Sequence, residues 1–359
     1  MVIYFFPLTF LTLIFLASNI SKYKNFFSKK ITYYSVCIFF IIFICFRYEI
    51  GCDWTSYQYK FNLIEESSIR YILKNQNIFF DLGFSFIAKS ISYFFGFKEL
   101  ILVYGLLFTI PLFLFFENLK NKYLALIISY PYFIVVVGMG PIRQSAAIGF
   151  FMLSLLYFLH NENKKFYISS LLSILLHHSA IFFIGLLALF KIKYENLKID
   201  LLGKIFLIFT FMVLIYISPE ILSKIFVYIK YVKFGYMNAK GAIFVWFINF
   251  LPLVIYLLNS SKFKIKDNLK KFFKLFSIIQ ISIFPFLFVN STIAYRLLIY
   301  FFPASIYLSA YLPEIKTFVN NKLISSFTLI FLSYFSLAIW LKLAFHNYCW
   351  IPYKNILFN

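Results

Sequence analysis

The chain is divided into long apolar runs that contain no charge, of which residues 8–16 and 327–341 are two. A helix that is apolar all round belongs either in a large protein core or in lipid. Crossing a bilayer takes ~20 such residues, with every backbone polar group satisfied inside the helix. Composition favours lipid. The 359 residues are 62% hydrophobic with a mean hydropathy of +0.86, whereas soluble domains are closer to half apolar. The expectation is an all-α polytopic membrane protein. It forms a single transmembrane domain over residues 1–359, because no loop is long enough to bury a core of its own.

The formal net charge is +21. In a basic protein this often signals nucleic acid. Here the lysines stand in short clusters between apolar runs, which fits positive loops retained on the cytoplasmic side. No nucleic-acid partner is expected. The four cysteines, Cys37, Cys45, Cys52 and Cys349, form no C-x-x-C pair, so neither a metal nor a redox site is expected. Cys52 and Cys349 could bond only if both face outward, and the reading adopted leaves them unpaired.

The lysine clusters set the topology. Residues 2–20 lack Lys and Arg, and Lys22, Lys24, Lys29 and Lys30 follow them. That order is the reverse of a cleavable signal and puts the N-terminus outside. Spans follow at 31–46, 100–116, 123–137, 145–159, 201–217, 242–258, 275–289, 297–312 and 323–341. This makes about ten transmembrane helices with both termini outside. Outer loops occupy about 47–80 and 218–240, with an aromatic tail at 342–359. In 80–96, Asp81, Ser85, Lys89 and Ser92 recur at helical spacing, which suits an interfacial helix or one lining a wet cavity. Residues 166–190 have basic residues at both ends and His177-His178-Ser179 at the midpoint. A re-entrant helix pair is expected there, a single crossing being the alternative.

Only four arginines occur: Arg47, Arg70, Arg143 and Arg296. The lysine-derived topology puts all four outside, opposite to the positive-inside bias. Arginine offers a planar fork that binds phosphate or carboxylate in two places. Pairing with Glu49, Glu65 or Asp81 is the competing explanation.

Several short patterns recur in order. Arg47, Gly51, Asp53 and Tyr57 fit R-x-x-x-G-x-D-x-x-x-Y. Pro141-x-Arg143-Gln144 opens an apolar helix, and His177-x-Ser179-Ala180 follows a helix bounded by Lys164 and Lys165. Tyr295-Arg296-x-x-x-Tyr300-Phe301 comes late, before Asn347-Tyr348 and Pro352-Tyr353. This series resembles the EpsG family, relatives of Wzy-type O-antigen and capsule polymerases. It departs from the family pattern at Asp81, where a Glu is expected, and at the doubled histidine His177-His178. The resemblance implies a C-type glycosyltransferase-like membrane fold that joins undecaprenyl-diphosphate-linked oligosaccharide repeat units at the outer face of the bacterial inner membrane. It implies no metal or cofactor. Its partners would be lipid-linked oligosaccharides and membrane lipids, with room for a chain-length regulator.

Such a reaction must stabilise a departing pyrophosphate and activate a sugar hydroxyl. Arg143 and Arg296 are the candidates for the first task, with Arg47 supporting. Asp53 and His177 are the candidates for the second. Asp53 could equally be a helix N-cap, and His177 a histidine satisfied by a carbonyl. Tyr57, Gln144, Tyr295 and Tyr348 complete the substrate-contacting set. A flippase or other transporter would carry internal repeats and midplane charges, and neither occurs. A membrane acyltransferase using His177 remains a third reading.

Overall fold

The computed structural model describes residues 1–75, 81–194, 241–315 and 322–358, with Gly203, Ile208, Thr210, Met212 and Ala239. Among the described residues the fold is all-helical, and the only extended pairing is an isolated bridge between Arg47 and Asn355. Seven helical segments are long and apolar enough to cross a membrane: Val2–Asn19, Phe97–Glu117, Ile142–Leu159, Ala242–Lys262, Leu269–Val289, Ser291–Glu314 and Lys322–Leu343. Each coincides with an expected span, and the chain is a multi-pass membrane protein. Two further expected spans are shorter apolar helices, Lys30–Cys45 and Lys122–Val137. The tenth, 201–217, lies outside the described residues apart from four positions. Seven crossings therefore stand by length and composition, and ten are not established.

The chain divides into two compact units. The first contains Met1–Phe150, Leu175–His177 and Ser309–Asn359, the second Phe151–Ile174 and His178–Leu308.

In the first unit, α1 (Val2–Asn19) packs on α2 (Ser21–Ser28), and α3 (Lys30–Cys45) follows. The expected outer loop holds two helices, α4 (Trp54–Glu66) and α5 (Ile69–Lys74), and is followed by α6 (Leu82–Ser92) and α7 (Phe97–Glu117). α8 (Lys122–Ser129) runs into eight residues of π-helix, Tyr130–Val137, with Pro131 in its first turn. Such wide turns are rare and cluster at functional sites. α9 (Ile142–Leu159) then crosses into the second unit.

The tail is a folded part of this unit. Tyr4 donates its hydroxyl to the Trp350 carbonyl at 2.7 Å, and the Trp350 indole donates to the π-helical carbonyl of Val135 at 3.0 Å. Tyr353 stacks on Phe43 with ring centroids 4.6 Å apart. Cys52 and Cys349 are joined in a disulfide, which corrects the expectation that they stay unpaired. Chain folding-back was the missing ingredient. The amide of Tyr48 donates to the Lys354 carbonyl, that of Gly51 to Cys349, and that of Ile356 to Phe46. The two cysteines are thereby brought into register.

α10 (Asn163–Leu176), of which all but Leu175 and Leu176 lies in the second unit, and α11 (Ala180–Tyr194) are separated by a break at His177–Ser179. Lys191, near the end of α11, has its ammonium 5.4 Å from the Phe166 ring at the start of α10. The pair is thus an antiparallel hairpin, and over the described residues neither arm reaches the length of a full span. Ser154 and Ser169 join α9 to α10 at 3.0 Å. α12 (Ala242–Asn259) and α13 (Asp267–Ser282) exchange bonds, Trp246 Nε1 to the Gln280 carbonyl and Gln280 Nε2 to the Trp246 carbonyl. Bonds of this kind hold apolar helices together at roughly 0.6 kcal/mol each. Pro285 interrupts the next span, separating α13 from α14 (Phe286–Val289). α15 (Ser291–Leu298) and α16 (Phe302–Tyr311) follow, and α17 (Lys322–Leu343) returns to the first unit.

Candidate active site

The site begins where α3 ends. Arg47 is 1% exposed and donates from an Nη to the Ile44 carbonyl at 2.8 Å. No carboxylate pairs with it among the described residues. A cation at the C-terminal end of a helix meets the negative end of its dipole, so the placement is favourable without one. Burial lowers the Arg47 pKa to about 10. Arg47, expected to support substrate binding, thus sits inside the protein as the C-terminal cap of α3.

Two residues after Glu49, Gly51 adopts φ +98°, and a Cβ there would lie 2.6 Å from the Met139 carbonyl oxygen. Only glycine fits this turn. The turn delivers Asp53 to the N-cap position of α4. Its exposed side chain makes no cap bond there and no other hydrogen bond or ion pair among the described residues. Asp53 therefore holds the cap position without performing the capping. Its carbonyl accepts from the Tyr57 amide at 2.9 Å, so the two side chains stand one turn apart on α4. Tyr348 is 66% exposed and precedes Cys349, while Asp53 follows Cys52, so the disulfide brings their segments together.

Arg143 is the second residue of α9, after the break at Gly140 and Pro141 that follows the π-helix and one helical step at Gly138 and Met139. It forms an ion pair with Asp81, with side chains 18% and 5% exposed. Its guanidinium carbon lies 5.9 Å from the Tyr57 ring and 6.0 Å from the Phe84 ring. Asp81 is at the N-cap of α6 but makes no cap bond to its own helix. The polar stripe that begins with Asp81 turns inward at its start: Asp81 and Ser85 are buried, while Lys89 and Ser92 are half-buried. Among the described residues the buried hydroxyls of Ser85 and Tyr104 have no hydrogen-bond partner. Burial holds the Tyr57 phenol above its ordinary pKa, opposed by Arg143, and burial and Arg143 lower the Lys60 pKa.

His177 is half-buried and belongs to the same unit. Gly83 of α6 packs on the Leu175 carbonyl so closely that a Cβ would lie 2.5 Å from it. Leu176 shares a buried cluster with Tyr57, Phe84, Tyr104 and Ile142. His177, directly after Leu176, is therefore carried to the start of α6. Gln144, next to Arg143, is buried.

The first unit thus brings together the segments bearing Asp53, Tyr57, Arg143, Gln144, His177 and Tyr348. Arg296, exposed, and Tyr295, half-buried, lie on α15 of the second unit. There Tyr300 stacks on Phe183 at 4.8 Å, and its hydroxyl is 2.9 Å from that of Ser179. Asp81, Ser85 and Tyr104 are additions to the sequence-derived set. Asp81 was signalled by opening the polar stripe, whereas Tyr104 carried no signal within an apolar run. No group of three His, Cys, Asp or Glu side chains suited to a metal ion occurs among the described residues.

The model of the EpsG family matches residues 30–355. No curated protein and no solved structure matches the chain.

Proposed function

The chain belongs to the EpsG family of Wzy-type polysaccharide polymerase-like membrane proteins, and from this we propose that it polymerises undecaprenyl-diphosphate-linked oligosaccharide repeat units. The products would be O-antigen, capsule or exopolysaccharide, made at the outer face of the bacterial inner membrane. The α10–α11 hairpin would be a re-entrant pair within a C-type glycosyltransferase-like fold.

The observation that best supports this reading is the Arg143–Asp81 pair beside Tyr57, at the opening of an apolar helix. A buried ion pair is costly and often no more stabilising than apolar residues of the same size. Its retention in an apolar protein fits a task that needs the charge. The task here is to receive a diphosphate. Arg143 also lies at the positive end of α9, where an anion is stabilised twice, by guanidinium and by dipole.

In the proposed reaction the acceptor hydroxyl oxygen bonds to the anomeric carbon of the donor. The bond from that carbon to the phosphate oxygen breaks, and the electron pair leaves with undecaprenyl diphosphate. Arg143 stabilises the charge that develops on the leaving group, and Arg296 is the second arginine assigned to it. The hydroxyl proton passes to Asp53 or His177. Tyr57, Gln144, Tyr295 and Tyr348 contact the sugars or phosphates. Arg47 acts through the frame rather than by contact.

The test is to incubate the purified protein with lipid-linked repeat units and resolve the products by size. A ladder of oligomers is expected. Transport of the substrate with no ladder, or acyl transfer instead of chain growth, would overturn the reading.

A further inference from the structure

α6 buries Phe84, Ser85 and Ala88 on one side, with Asp81 buried at its N-cap. Phe86 on another side is 49% exposed. The turn that follows presents three consecutive aromatics, Tyr93, Phe94 and Phe95, at 61%, 84% and 60% exposure. Contiguous apolar surface of this kind marks a contact with a partner or a membrane. The turn ends directly in α7, a candidate span, whose start is fixed by the Gly96 amide donating to Glu99 at 2.9 Å. Continuity with a span puts the turn at the depth where aromatic belts form. Two lysines lie among these aromatics. The Lys89 ammonium donates to the Glu65 carbonyl at 2.9 Å and lies 5.1 Å from the Tyr93 ring, and that of Lys98 is 5.1 Å from the Tyr48 ring. Their stems can follow apolar surface while the heads meet anionic headgroups.

We propose that the α6–α7 turn is a bilayer wedge, with Tyr93, Phe94 and Phe95 inserted in the leaflet on the side of the Cys52–Cys349 disulfide and Lys89 and Lys98 at phospholipid phosphates. Resting on the polymerase reading, this gives the site a lateral route. A helix of eleven residues is about 16 Å long. A lipid-borne diphosphate held at headgroup depth by the lysines would thus move the length of α6 to reach Arg143, with its polyprenyl chain remaining in the leaflet.

The test needs no turnover, so it fails or succeeds independently of the polymerase reading. Phe94→Cys is labelled with a nitroxide in the full chain and reconstituted in phosphatidylglycerol/phosphatidylethanolamine vesicles. The free cysteines Cys37 and Cys45 are buried, and unsubstituted protein measures any labelling of them. Oxygen should relax the label several-fold more strongly than a water-soluble nickel chelate, at a depth of about 5–10 Å below the phosphates. Stronger relaxation by nickel would place the turn in water and overturn the proposal. Protection from both reagents would mean that protein covers it, and would overturn it equally. In the K89Q/K98Q background nickel relaxation should rise, and an unchanged value would remove the headgroup contact.

Discussion

Two arginines of the first unit stand at helix ends, and they are accommodated in opposite ways. Arg47 follows the C-terminal end of α3 and is held by a carbonyl, with no carboxylate. Arg143 opens α9, where the dipole opposes a cation, and Asp81 offsets it. The first needs nothing from outside the fold. The second lies where a negative ligand is favoured and where a resident carboxylate can be exchanged for one. Burial alone therefore does not separate the two arginines, but the polarity of the adjoining helix end does, and it underlies the proposal that Arg143 is the one that meets substrate.

The comparison can be broken most directly at Arg143. Arg143→Ala leaves the Asp81 carboxylate buried without its cation and should cost about 3–5 kcal/mol, read as a lower melting temperature in detergent. The oligomer ladder should vanish. The double variant D81N/R143Q should regain much of the stability and none of the ladder. A ladder from the double variant would make the pair structural after all.

Next in size is the frame around Arg47. Removing the 52–349 bond with Cys349→Ser should cost about 2–4 kcal/mol, because it frees the tail that holds the Arg47 stretch. Thermal unfolding under non-reducing conditions measures this, and an unchanged midpoint would show that the tail is held by its other contacts alone. Arg47→Met should then cost about 1–2 kcal/mol, the value of a carbonyl bond and a favourable dipole. Arg47→Lys should recover part of it and retain the ladder. Loss of the ladder in R47K at an unchanged melting temperature would move Arg47 into the substrate site.

The smallest effect concerns the exposed pair Glu49–Lys354, which lies beside the buried ones. Lys354 lowers the Glu49 pKa. A depressed carboxylate contributes stability above its unfolded pKa of about 4.3 and loses it as pH falls through the folded value. Acid should therefore loosen the tail slightly, detected as faster proteolysis at Lys354 on brief exposure to low pH. Glu49→Gln should abolish that pH dependence.

Much of this was legible in the linear sequence, and the reasons for the rest are physical. Uncharged runs between lysine clusters mark the spans, because lipid tolerates no other pattern. His177-His178-Ser179 marks the hairpin break, being a polar triplet amid apolar residues. The segregation of arginine from lysine pointed to Arg143. The burial of Arg47 was not legible, since it depends on a tail some three hundred residues away. Nor was the π-helix, whose Val135 carbonyl accepts from the indole of Trp350 in the distant tail. Asp81 was visible as polar, but which side of α6 faces inward is decided by Arg143, not by the periodicity.

The disulfide also imposes an order on biogenesis. Cys52 must wait for a partner 297 residues downstream, so the ribosome has delivered almost the whole chain before the segment bearing Asp53 can be fastened. Until then the nascent protein holds its spans with the Asp53 segment unfastened. If the polymerase proposal holds, a chain stalled before Cys349 should be inserted yet leave lipid-borne sugars unjoined.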